Sequence, residues 1–82
     1  MTPPDDDPNT RLEYTLHARQ RMRERRIQPE EVVLTLAAPD NVTYGEDGEL
    51  IAIKTIGRRQ ISVVFVESED VTRIITVIAD QQ

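Results

Sequence analysis

His17, Arg21 and Arg25 recur at every fourth position of Thr15–Ile27, TLHARQRMRERRI. On a helix, side chains at i and i+4 project over the same patch. One proton carrier would then lie beside guanidiniums whose planar forks fit phosphate. Such a patch suits RNA cleavage or plain nucleic-acid binding. The segment holds five of the ten basic residues and the only histidine of the chain. A plainer reading stands beside this one. An arginine-rich face is commonly a solvated surface, here with Glu24 as an internal counter-charge, and a lone histidine near a helix start is more often structural than catalytic.

The element that must carry these residues is a helix over Leu16–Arg26. The segment lacks Gly and Pro and is rich in strong helix formers. Thr15 suits the N-cap, where its hydroxyl accepts from an orphan backbone N–H. Ala18 and Met22 make a narrow apolar stripe at about 100° per residue. His17, Arg21, Glu24 and Arg25 flank it on one side, and Arg19, Arg23 and Arg26 on the other. Pro29 followed by Glu30 and Glu31 marks a second helix start. That helix runs over Pro29–Ala37, with Val32, Val33, Leu36 and Ala37 as its buried stripe, and Pro39 ends it.

The remainder reads as a β-meander with strands over Asn41–Gly45, Glu49–Ile56, Arg59–Glu67 and Thr72–Ala79. Asp47-Gly48 signals a type I′ hairpin and Gly57-Arg58 a two-residue II′ turn. In the third strand Ile61, Val63 and Phe65 share one face, and Gln60, Ser62, Val64 and Val66 the other. The last strand is apolar on both faces, Ile74 and Ile78 against Ile75 and Val77, which suits a central strand or a partner interface. Arg11–Tyr14 is a short strand or a lead-in to the first helix. The expected fold class is α+β, two N-terminal helices on one face of a four-stranded antiparallel sheet. The domain organisation expected is a disordered acidic tail over residues 1–13 and one domain over residues 14–80. The II′ turn also gathers Lys54, Arg58 and Arg59 at one end of the sheet, a second basic cluster that edge protection alone would explain.

Composition narrows the function classes. A chain of 82 residues has room for one domain. No cysteine and one histidine argue against a thiolate or zinc site, so neither metal nor cofactor is expected. No apolar run approaches the roughly 20 residues that cross a bilayer, and the N-terminus lacks a signal-peptide pattern. A cytoplasmic protein with no membrane partner is the expectation. The net charge of −5 opposes a general affinity for nucleic acid. The charge is segregated, however: Tyr14–Ile27 carries five arginines against Glu24, whereas Gln28–Gln82 carries ten acids against four bases.

His17-Ala18, Arg21-Met22, Arg25, Ile27, a second helix opening Pro-Glu-Glu and a meander closing in Ile-Thr-Val together resemble a small family of domains of unknown function. That family is grouped with RelE/ParE- and BrnT-like toxins in the barnase–EndoU–colicin–RelE nuclease-like superfamily. The resemblance covers Tyr14–Ala79. It implies a curved antiparallel sheet packed by N-terminal helices, and a metal-independent ribonuclease in which the RNA 2′-hydroxyl attacks its own phosphate. By the same resemblance His17 and Arg21 would be catalytic, Arg25, Lys54, Arg58 and Arg59 would bind the substrate phosphate, and Thr76 could line the site. The pattern commonly ends its first helix with a glycine, where this chain has Arg26. The expected partners are RNA, an antitoxin-like protein or a second copy of the chain. A non-catalytic interaction module, by homodimerisation or antitoxin binding, is the alternative, and a nucleic-acid-binding regulator a third reading.

Overall fold

Thr15 joins the first strand to the first helix and binds three ways. Its hydroxyl accepts from Ala18 N at 3.0 Å and donates to the Ile75 carbonyl at 2.8 Å, and its own N–H donates to the Ile74 carbonyl at 3.0 Å. One side chain therefore caps the helix and fastens it to a strand sixty residues away in sequence. The computed structural model describes residues 11–68 and 70–81. The elements are β1 (Arg11–Tyr14), α1 (Leu16–Arg25), α2 (Pro29–Ala37), β2 (Asn41–Tyr44), β3 (Leu50–Ile56), β4 (Arg59–Glu67) and β5 (Val71–Gln81).

The fold class is α+β, as expected from the sequence, but the sheet has five strands rather than four. Their order is β1-β5-β4-β3-β2. β1 pairs in parallel with β5, and every other pair is antiparallel. Arg11–Tyr14 is thus a strand. Four residues carry little pattern by themselves, and only the distant β5 gives them a ladder to join. Of the tail expected over residues 1–13, residues 1–10 lie outside the described residues and residues 11–13 belong to β1.

α1 ends one residue earlier than its composition suggests, at Arg25, and the stop is physical. Arg26 adopts the left-handed conformation (φ 56°, ψ 46°). Ile27 N–H reaches the Met22 carbonyl at 2.8 Å and Arg26 N–H the Arg23 carbonyl at 3.4 Å. This is the Schellman pattern, completed by burial of Ile27 and Met22 in one cluster. An arginine occupies the position that favours glycine. α2 buries Val32 and Thr35 rather than all of the expected stripe, with Leu36 partly buried and Ala37 exposed. The Thr35 hydroxyl is satisfied by the Glu31 carbonyl at 2.7 Å.

The turns divide. Gly57 has φ 63° and Arg58 is not left-handed, so the β3–β4 hairpin is the expected II′ type. Asp47-Gly48 does not form a I′ hairpin, because that turn needs two left-handed residues and Asp47 is not one. Gly48 (φ 84°) instead closes a longer loop, in which Gly45 N–H donates to the Glu49 carbonyl at 2.7 Å.

The core lies between the helices and one sheet face, with Ala18, Met22 and Val32 meeting Ala52, Ile61, Val63, Phe65, Ile74 and Val77. The face assignment along β5 needs correction. Val64 pairs with Thr76 but Phe65 pairs with Ile74, so Ile75 is an extra residue in a β-bulge. The bulge shifts the alternation: Ile74 and Val77 both point into the core, whereas Ile78 lies 46% exposed on the other face.

Two outcomes test this account. Arg26→Gly relieves the left-handed strain and raises stability by about 1 kcal/mol in urea unfolding. Tyr14 packs at the core margin, and burial pushes its phenol above the ordinary 10.0. The folded state then holds that proton more tightly than the unfolded chain. Its contribution is complete below about pH 10 and is lost as pH rises through the raised value. Tyr14→Phe removes that part of the alkaline loss, read as urea midpoints against pH.

Candidate nucleic-acid interface

α1 buries only Ala18 and Met22, so its polar residues are presented outward. His17, Arg19, Arg23, Arg25 and Arg26 are exposed and Arg21 is half-buried. Arg21 Nη1 lies 3.1 Å from Glu24 Oε1, the internal counter-charge read from the sequence. Among the described residues it is the one arginine of this stretch in an ion pair. His17, Arg21 and Arg25 follow one flank of α1 at successive turns. Arg23 and Arg25 lie in the last turn, where the helix dipole favours cations.

The second basic cluster is divided by the fold. Arg59 points under the helices. Its Nη1 donates to the Arg25 carbonyl at 2.8 Å, and its Nη2 lies 2.9 Å and 3.0 Å from the two carboxylate oxygens of Glu31 and 3.4 Å from the Arg26 carbonyl. One guanidinium therefore binds the end of α1, the start of α2 and β4 together. Glu31 also accepts the Gln28 N–H at 2.8 Å, capping α2. Lys54 lies elsewhere, with its Nζ donating to the Ala38 carbonyl at 2.8 Å and 3.7 Å from Asp40 Oδ1. Arg58 is exposed at the hairpin tip. Thr76 pairs with Val64 on the sheet face away from the helices, so the sheet separates it from His17.

What the fold does bring together is Arg25, Arg26 and Arg59. They line a shallow cleft of about 460 Å³ with Glu24, Ala79 and Asp80. Glu31 balances Arg59, and Glu24 and Asp80 set two carboxylates against the two exposed arginines, so the cleft lining carries both signs in equal number. Spacing alone misses the convergence of Arg26 with Arg25. Helical geometry puts them on opposite flanks, whereas the left-handed turn at Arg26 leaves both residues lining the cleft. The available signal is the non-glycine residue at the helix stop.

The geometry defines a small α+β domain with an arginine-rich helix on its surface, resting on a mixed sheet. The chain belongs to the DUF4258 family, a domain of unknown function, whose family model matches residues 14–79. No curated protein and no solved structure matches it.

The Arg59 clamp is testable. Arg59→Ala and Glu31→Ala each lower stability by about 2 kcal/mol in urea unfolding, because charged hydrogen bonds are lost from a pair that is 21% exposed on each side. Arg59→Lys recovers little of the loss, since an ammonium cannot reach two carbonyls and a carboxylate in one plane. The double variant loses less than the sum of the two single variants.

Proposed function

We propose that this chain is a RelE/ParE-like toxin domain that binds RNA through α1 and cleaves it without a metal ion. The observation that carries the reading is the flank of α1, which presents His17 with Arg21 and Arg25 at successive turns. The exposed Arg19, Arg23, Arg26 and Arg58 extend the cationic surface. Lys54 and Arg59 enter as the groups that hold the scaffold beneath it, each engaged with backbone carbonyls.

In this reading the His17 imidazole takes the proton of a ribose 2′-hydroxyl. The oxygen attacks the adjacent phosphorus, and the bond from phosphorus to the 5′-oxygen breaks. The leaving oxygen takes up a proton, and a 2′,3′-cyclic phosphate remains. Arg21 and Arg25 neutralise charge that grows on the phosphate oxygens. A proton carrier and two guanidiniums supply what this transfer needs, so the scheme calls on no metal ion.

Purified chain incubated with labelled single-stranded RNA and a chelator tests it. Cleavage to cyclic-phosphate ends is expected, lowered about 10²- to 10⁴-fold in His17→Ala. Affinity is expected to fall with salt, and less steeply in Arg23→Ala. The log–log slope drops by about 0.7 for each phosphate that the variant no longer neutralises. Folded protein that neither cleaves nor binds RNA would sink the proposal.

A second reading, a non-catalytic module that binds an antitoxin-like protein, has its own observation. β2 is an exposed edge strand throughout. Its hydrogen-bonded pairing with β3 continues from Gly45 and Glu49, which leaves the backbone groups of Val42 and Tyr44 turned outward. Such an edge can accept a partner strand. Binding of a partner without any RNA cleavage would favour it.

A further inference from the structure

We infer that the sheet face opposite the helices is a homodimer interface, whose occupant is a second copy of this chain. The inference is independent of the RNA reading. Both helices cover the same face, and the other is left open. Six residues make most of its middle, Ile51 and Ile53 on β3, Val64 and Val66 on β4, and Thr76 and Ile78 on β5, with Ser62 set between Ile53 and Ile78. Val66 and Ile78 are 45% and 46% exposed. All six are β-branched, the side-chain shape that packs well on a pleated surface and interdigitates in sheet-on-sheet contacts.

Charge selects the occupant. The pairing registers put Arg11, Glu13, Arg73 and Asp80 on this face, two of each sign, all on β1 or β5. Arg73 and Glu13 are already paired at 3.5 Å. The face is therefore neutral, and its centre uncharged, on a chain of net charge −5. Two copies meet here without a net charge to oppose the contact. A basic protein or a nucleic acid would meet as much repulsion as attraction on this face.

Area agrees. Strands about 4.8 Å apart and about 3.3 Å per residue give this face a footprint of roughly 500–600 Å². Two copies together approach the roughly 1,200 Å² at which specific interfaces begin. A depression of about 560 Å³ at one end, lined by Val66, Val71 and Ile75 between Glu13 and Arg73, gives the surface relief for interlocking. The arrangement leaves α1 facing outward on both copies.

Sedimentation equilibrium of the full chain over a wide concentration range tests this. The expected mass is twice 9.4 kDa. Added salt tightens the dimer by screening the repulsion between copies. Ile78→Lys, and separately Val66→Lys, raise the dissociation constant about 100-fold or more, because symmetry buries two unpaired ammonium groups. Leu16→Lys, on the helix side, leaves the mass unchanged. Methyl NMR of the unmodified chain on dilution keeps the test independent of how the variants fold. Shifts are expected at Ile51, Ile53 and Ile78 and not at Leu34. A strict monomer, a dimer indifferent to both lysines, or dilution shifts confined to the helix side would each overturn the inference.

Discussion

The corner between the two helices depends on one guanidinium. Helix ends leave backbone carbonyls without intrahelical partners, and α1 ends over the sheet, close to where α2 begins. Arg59 answers the Arg25 and Arg26 carbonyls and the Glu31 carboxylate from a single planar group on β4. The carboxylate in turn caps the start of α2 through Gln28. In a domain of this size, where burial alone leaves little margin, such a clamp fixes the angle at which α1 lies on the sheet. The direction of every exposed arginine on α1 follows from that angle.

Much of this is legible in the sequence. The start of α1, the span of α2, the II′ turn at Gly57-Arg58 and the core face of β4 all follow from local rules, and the structure holds them. Thr15 has the chemistry of a cap and acts as one. What escapes depends on partners distant in the chain. β1 is ambiguous in the sequence because its ladder is made with β5. The bulge at Ile75 cannot be seen from alternation, since an inserted residue leaves the composition unchanged and merely shifts the phase. The Asp47-Gly48 signal misleads because a dipeptide does not count how many residues its loop encloses.

The candidate site shows the same division. The alignment of His17, Arg21 and Arg25 is a property of one helix, so spacing finds it. The grouping of Lys54, Arg58 and Arg59 is a property of the whole fold. Proximity in sequence suggests one cluster, whereas the strand alternation and the overlying helices send the three to different tasks. A basic residue near a phosphate-like surface is thus ambiguous until its own hydrogen bonds are known. Arg59 illustrates this, because its donors are taken by the protein's own oxygens.

The parallel pairing of β1 with β5 bears on how the molecule comes into being. α1 rests mainly on β5, and Thr15 fastens it to carbonyls sixty residues away. A chain emerging from the ribosome presents the arginine helix long before the strand it rests on exists. Contacts of such sequence separation are slow to form, and domains commonly fold as units once their last element is available. The arginine surface is therefore not set in its final geometry until β5 has been synthesised. Birth order delays the assembly of the cationic face until β5 has been made.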